Sequence, residues 1–98
     1  MRGLTADMTN GSQRPYFLWD EDVSIDELHA VLAGPDSFRR DQLLGKMLRE
    51  ARDVDVWCFV RPTEVARVIE RLHRRIGRRY PFWKFLIEGW RADGILAA

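Results

Sequence analysis

The sequence contains a single cysteine, Cys58, which excludes an internal disulfide framework and a zinc site built from several cysteines. It has no apolar run approaching about 18 residues and no apolar segment near its start, so neither a membrane-spanning helix nor a secretion signal is expected. The net charge is only +1, from 16 basic and 15 acidic residues, which excludes a histone-like polycation. Because 46% of the 98 residues are hydrophobic, the chain can fold. We expect one soluble, cytoplasmic domain.

The small net charge conceals an asymmetry between the two parts of the chain. Residues 1–57 carry seven basic and eleven acidic side chains, whereas residues 58–98 carry nine basic and four acidic ones. Opposite charges on two parts of a surface can organise an assembly or repel wrong partners. The asymmetry does not by itself identify a partner.

Helix-capping and helix-breaking residues in the sequence predict where helices begin and end. Residues 1–14 have no periodicity and many small polar residues, which predicts a flexible tail, and residues 15–98 predict a helical domain. Ser24 and Glu27 form a capping box, in which each side chain pairs with a backbone N–H at the start of a helix. Apolar residues at helical spacing follow it, and Gly34-Pro35 ends the segment.

Four further segments complete the predicted fold. A second helix is expected from Asp36 or Ser37 to about Arg52, and a helix that begins at Pro62 is expected to end at Gly77. Residues 54–60 are predicted as a short helix, since no partner strand is evident, and a last helix should span residues 81–91. The predicted fold is all-α, a small single-domain bundle of four to five short helices with a flexible N-terminal tail.

The sequence offers little for catalysis. Its two histidines, His29 and His73, lack metal-ligand spacing, and His29 lies on the apolar stripe of the first helix, which predicts a core position. The acidic residues at 20–22 and at 53 and 55 would bind a catalytic Mg²⁺ only if a β-sheet aimed them, and no sheet is predicted. We therefore expect no enzyme, no metal site and no cofactor.

A row of arginines follows Pro62. Their spacing of four, three and four residues predicts that they share one face of a helix, opposite its apolar stripe. Such a row can contact phosphates, or it can be a solvated face whose charges pair with Glu64 and Glu70. The row consists of Arg67, Arg71, Arg74 and Arg78.

Two aromatic clusters carry more information. Residues 16–19 form a continuous apolar run, and residues 82–90 place six large apolar side chains within nine positions. On a helix, Trp83 and Trp90 lie on one stripe, whereas Phe82 and Phe85 lie outside it, so the apolar arc is wider than a small surface helix needs. Either the N-terminal run folds back over this helix, or part of the arc contacts a partner.

These clusters and the helix between them resemble a family of short helical proteins that are encoded beside nucleotidyltransferase-like toxins of the AbiEii/MenT type. The resemblance covers about residues 14–92. It implies the antitoxin of a bacterial toxin–antitoxin pair, in which the toxin adds nucleotides to tRNA acceptor ends and the antitoxin neutralises it. The matching segments are Arg14-Pro15-Tyr16-Phe17-Leu18-Trp19-Asp20, Val23-Ser24-Ile25, Leu28, Ala51-Arg52 and Asp55-Val56-Trp57.

This interpretation assigns roles to particular residues. We expect a hetero-oligomer in which aromatic side chains anchor the toxin, acidic ones imitate phosphate charge, and tryptophans of the last helix add a second contact surface or a packing base. Two other functions stay open: a nucleic-acid-binding regulator that uses the arginine row, and a small adaptor subunit of a larger enzyme. The expected anchors are Tyr16, Phe17 and Trp19, the acidic residues Asp20, Glu21 and Asp22, and the tryptophans Trp83 and Trp90.

Overall fold

The computed structural model describes residues 2–96, which form short helices packed around one shared core, with overall extents of 42 × 25 × 24 Å. The predicted small all-α bundle is confirmed. A 3-10 turn, Gly77–Arg79, joins the fifth helix to the sixth. The elements are β1 (Leu4–Thr5), β2 (Arg14–Pro15), α1 (Ile25–Ala33), α2 (Phe38–Glu50), α3 (Asp53–Val56), α4 (Pro62–Val68), α5 (His73–Ile76) and α6 (Tyr80–Ala92).

Local signals placed the helix starts correctly. The Ser24 Oγ accepts a hydrogen bond from the Glu27 N–H at 3.1 Å, and the Glu27 Oε1 accepts one from the Ser24 N–H at 3.2 Å. The hydroxyl of Ser37 caps α2 in the same way. These bonds satisfy N–H groups that have no partner within the helix. The short helix predicted over residues 54–60 is present as α3, but it covers only Asp53–Val56, and residues 57–59 form a turn.

The predicted single helix from Pro62 to Gly77 is wrong. The chain leaves α4 after Val68, passes through a turn, and starts α5 at His73. The break changes the direction of the chain so that α5 packs closely against α2, where Gly45 has no side chain. A Cβ added at Gly45 would lie only 2.6 Å from the Cβ of Arg75. Tertiary packing therefore overrides a helical pattern that is locally continuous.

The N-terminal segment, residues 2–15, contains the one strand pair of the described chain, and the prediction of no sheet is wrong there. β1 and β2 pair in parallel, and strands of two residues show no alternation for a sequence analysis to detect. The carbonyls of Gln13 and Gly11 accept hydrogen bonds from the first N–H groups of α1, at Ile25 and Asp26. Flexibility of residues 1–14 stays a prediction. The structure shows residues 2–14 lying against the start of α1.

The core takes its aromatic side chains from both clusters. Phe17 and Leu18 are buried, and Trp83 is fully buried with its Nε1–H donating to the Leu48 carbonyl at 2.7 Å. Trp57 contacts both Trp83 and Trp90, at 5.6 Å between ring centroids in each case. The two expected covers for the apolar arc of α6, the N-terminal run or a partner, did not include Trp57. No helix within residues 2–96 combines the length and the apolar character that crossing a membrane requires.

Candidate protein-binding surface

The structure separates the residues that we predicted to bind a toxin into exposed and enclosed groups. Phe17 and Trp83 lie inside the core, with 1% and 0% of their surface exposed, so in this conformation they support the surface rather than form it. Tyr16 and Trp90 are half-buried. The exposed members are Trp19, Asp20 and Asp22, and all three lie in one loop, residues 19–22. The candidate site is therefore this 19–22 loop.

A buried arginine that the sequence analysis did not single out fixes the path of the loop. The guanidinium of Arg14, which is 8% exposed, donates from Nη1 to the carbonyls of Leu18, Trp19 and Glu21 at 3.4, 3.0 and 3.4 Å. Its Nε–H donates to the Arg2 carbonyl at 2.6 Å. Hydrogen bonds from a charged donor are stronger than those between neutral groups, so the loop backbone is held in one shape.

Trp19 lies on the surface of α2 and keeps nearly half of its area, 47%, in solvent. The Lys46 Nζ lies 3.8 Å from the centroid of the indole and also pairs with an Asp20 oxygen at 2.9 Å. The hydrogen bond from Lys46 holds the pKa of the Asp20 carboxyl below its usual range. One lysine thus orients both the aromatic ring and the carboxylate that follows it.

The acidic side chains of the loop pair with cations of the same chain. Besides Asp20, Glu21 pairs with Arg39 at 2.9 Å, and Asp22 pairs with Arg2 at 3.2 Å. These ion pairs largely cancel the negative charge that the sequence led us to expect here. Exposed ion pairs contribute about 0–1 kcal/mol, so a cationic partner can replace the internal cations at low cost.

Tyr16, which precedes the 19–22 loop, joins this part of the chain to α3 through its hydroxyl group. Its hydroxyl donates to the Asp55 Oδ2 at 2.6 Å and accepts from the Arg52 N–H at 2.8 Å. Burial, followed by the hydrogen bond to Asp55, raises the pKa of the Tyr16 phenol. The predicted anchor therefore has a structural partner already, and the Asp55 carboxylate is itself buried.

A second apolar surface lies on the side of α6 that faces away from the core. Phe85 is 74% exposed, Phe82 is 39% exposed, and a Cβ added at Gly89 would meet nothing within 4 Å. The helical pattern had placed both phenylalanines outside the buried stripe, and the structure confirms this position. Trp90 lies at the edge of the core against Trp57.

The predicted arginine row is broken up, with Arg67 on α4, Arg71 in the turn after it, Arg74 on α5 and Arg78 in the 3-10 turn. Arg67 pairs with Asp36 at 2.8 Å and with Glu64 at 2.6 Å, while Arg71 pairs with Asp41 at 2.9 Å. Hydrogen bonds from Arg67 lower the pKa values of the Asp36 and Glu64 carboxyls. Because the helix ends at Val68, Arg74 and Arg78 do not continue the face on which Arg67 lies. The first two arginines are therefore committed to ion pairs within the fold.

His29 and Cys58, two side chains of types that serve in catalysis, are both exposed. His29 is exposed and stacks on Phe59 at 4.4 Å between ring centroids, so the predicted core position is wrong. The buried side of α1 contains Leu28 and Leu32, and His29 lies beside it in solvent. Cys58 lies at the edge of a cleft of about 720 Å³ between the end of α1 and the start of α4. Across residues 2–96, no three His, Cys, Asp or Glu side chains are grouped so as to hold a metal ion.

Comparison with protein-family models, with curated proteins and with solved structures found no match to this chain.

Proposed function

We propose that this chain is a cytoplasmic antitoxin that binds and neutralises a nucleotidyltransferase-like toxin acting on tRNA, with no chemistry of its own. The sequence resemblance suggests the class of partner. The observation that carries the binding surface is a half-exposed indole, Trp19, on a loop whose backbone is held by the buried guanidinium of Arg14.

A fixed aromatic side chain suits an interface anchor. Binding costs free energy when loops and side chains must become ordered, and a loop that is already held avoids most of that cost. Tryptophan is among the residues enriched where truncation weakens an interface most. In the proposed complex, Trp19 enters an apolar pocket of the toxin and the chain blocks the cleft through which nucleotide or tRNA enters.

The acidic residues supply the charge component of the same surface. When the toxin approaches, basic side chains of its tRNA-binding cleft replace Lys46, Arg39 and Arg2 as partners of the loop carboxylates. Such complementarity speeds association and selects among partners more than it adds affinity. The outer face of α6, with Phe82 and Phe85, is the second contact surface in this proposal.

The test is co-expression with the protein encoded by the adjacent open reading frame, followed by size-exclusion chromatography and a binding measurement. We expect co-elution, and we expect Trp19→Ala to weaken the complex by about 30-fold, which corresponds to about 2 kcal/mol for an anchor residue. Phe38→Ala is the matched control, since Phe38 is an exposed ring outside the loop. We expect this control to bind like the wild type.

Two results count against the proposal. If a folded Trp19→Ala chain binds and neutralises as well as the wild type, Trp19 is not an anchor. If the wild-type chain does not co-elute with a nucleotidyltransferase-like protein, the antitoxin function itself is wrong.

A further inference from the structure

A second surface, formed where α5 crosses α2, concentrates positive charge that ion pairs within the fold neutralise only in part. Among residues 2–96, Arg74 and Arg75 make no ion pair, and Arg78, whose side chain is 77% exposed, reaches a Glu50 oxygen only at 3.7 Å. Arg49 shares that one carboxylate, at 3.1 Å. We call these four arginines the α2–α5 basic surface.

Contacts between the two helices bring Arg49, Arg75 and Arg78 together. The Arg75 side chain crosses α2 directly over Gly45, and a Cβ at Gly77 would lie 3.9 Å from the Arg49 Cδ. Arg49 and Arg75 also border one cleft of about 210 Å³, together with Lys46. The Asp20 and Glu21 carboxylates at its edge already pair with Lys46 and Arg39. Net positive charge therefore extends along the crossing.

An exposed aromatic ring stands at one end of this surface. Phe38, the first residue of α2, is 72% exposed, and the Arg75 guanidinium lies 5.0 Å from its ring centroid. At the other end, the Arg79 guanidinium lies 5.0 Å from the Phe82 ring. Arginines that follow a backbone, with aromatic rings on which bases stack, are the two components of a surface for unpaired nucleic acid.

We propose that the α2–α5 basic surface binds a single strand of nucleic acid, with phosphates on the arginines and one base stacked on Phe38. A duplex fits less well, because α5 has four residues and is too short to lie along a major groove as a recognition helix. An acidic protein surface would use the charges but would leave Phe38 without a role. The proposal does not depend on the antitoxin function, since the chain alone is tested.

The first experiment measures binding of the purified full-length chain to a labelled oligouridine of about 12 nucleotides, within the range of known site sizes. Oligodeoxyuridine, duplex DNA and polyglutamate of similar length are the competing probes. We expect the single strands to bind more tightly than the duplex and polyglutamate. A preference between oligouridine and oligodeoxyuridine, which differ only in the 2′-hydroxyl, identifies the natural strand as RNA or DNA. Equal or tighter binding of polyglutamate would overturn the proposal in favour of an acidic protein partner, and tighter binding of the duplex would also overturn it.

The second experiment compares two double variants with the same change in charge. Arg75→Gln with Arg78→Gln removes two proposed phosphate contacts, so the slope of log affinity against log salt should fall by about 0.7 per contact. Arg61→Gln with Arg91→Gln removes two exposed arginines from other elements and should leave the slope unchanged. If both variants weaken binding equally, the effect is one of net charge and the assigned surface is wrong.

The third experiment separates stacking from charge. Phe38→Ala should weaken oligouridine binding by about tenfold, as expected for the loss of one base–aromatic stack, and should leave the salt slope unchanged. Circular dichroism melting shows whether the variant is folded. Unchanged affinity in a folded Phe38→Ala chain would overturn the assignment of a single strand.

Discussion

At the scale of single residues, one phenol group joins the N-terminal run to the helices. The Tyr16 hydroxyl serves a donor and an acceptor at once: the backbone N–H of Arg52 and the carboxylate of Asp55. Because Asp55 is only 7% exposed, water cannot easily replace the hydroxyl there. Without the hydroxyl, Asp55 keeps the hydrogen bond from the Arg52 Nε–H at 3.1 Å, while the Arg52 backbone N–H loses its acceptor. A buried polar group that loses a partner costs more free energy than a hydrogen bond contributes on average.

We therefore predict that Tyr16→Phe lowers the free energy of unfolding by about 1–3 kcal/mol. Urea denaturation monitored by circular dichroism measures this loss. Tyr80→Phe is the matched control, because the Tyr80 hydroxyl donates to Glu70 at the same distance, 2.6 Å, but Glu70 is exposed. Equal losses in the two variants would contradict the importance of burial at Asp55.

At the scale of elements, the crossing of α2 and α5 depends on a glycine within a helix. Alanine at an exposed helical position is more favourable than glycine by about 0.8–1.0 kcal/mol. At Gly45, however, an added Cβ would lie 2.6 Å from the Arg75 Cβ, an atom that cannot move away without its backbone. The close approach of the helices therefore requires the missing side chain.

Two glycine substitutions should have opposite effects. We predict that Gly45→Ala destabilises the fold by about 1–3 kcal/mol through overpacking. Gly89→Ala, where the new Cβ meets nothing, should stabilise it by about 0.5–1 kcal/mol. Thermal melting of both variants gives the two signs. Stabilisation of both variants would show that helix propensity alone decides.

Some features of the helices were predictable from the sequence, and others were not. Ser24, Ser37, Gly34 and Pro62 mark helix ends through contacts within a few residues, so these ends were predictable. The break after Val68 was not predictable, because its cause is the packing of α5 on α2. Trp57 was not recognised as the aromatic cover of α6, since that contact joins residues far apart in the chain.

At the candidate site, too, the sequence predicted some features and missed others. The exposed position of Phe82 and Phe85 followed from helical angles alone, and it is confirmed. The role of Arg14 did not follow from the sequence. Its acceptors are backbone carbonyls, which every residue possesses, so no sequence pattern marks them. Trp19 and Phe17 are close in sequence, yet only the fold shows that one is exposed and the other enclosed.

At the scale of the whole molecule, the charge asymmetry of the sequence is partly resolved by ion pairs between its two parts. Asp36 pairs with Arg67 at 2.8 Å and Asp41 with Arg71 at 2.9 Å, which joins the start of α2 to α4 and the following turn. The buried Arg40 pairs with Glu64 at 2.6 Å. Arg74 and Arg75 of the α2–α5 basic surface are among the cations that make no ion pair within residues 2–96.

These pairs predict a loss of stability in acid. Hydrogen bonds from Arg67 hold the pKa values of Asp36 and Glu64 below their unfolded values, so the stabilisation is present above the unfolded pKa and is lost as the pH falls. We expect the free energy of unfolding to decrease as the pH is lowered from about 5 toward 2. Urea denaturation across this range measures the decrease.

Removing one carboxylate should flatten that dependence. Asp36→Asn is expected to be less stable than the wild type near neutral pH and to lose less stability in acid, since the pair with Arg67 is already absent. Asp93→Asn, which changes a carboxylate with no ion pair in the described chain, is the control. Parallel curves for the wild type and Asp36→Asn would contradict this explanation.

The hydrogen bonds from Arg14 to the 19–22 loop have an evolutionary consequence. Its guanidinium holds main-chain oxygens only, so the path of the loop does not depend on which side chains stand at Trp19 and Glu21. Mutations at these positions can alter what the loop recognises while the scaffold that presents it stays intact. A lineage could therefore diversify its preference for one binding target over another without first evolving a new shape.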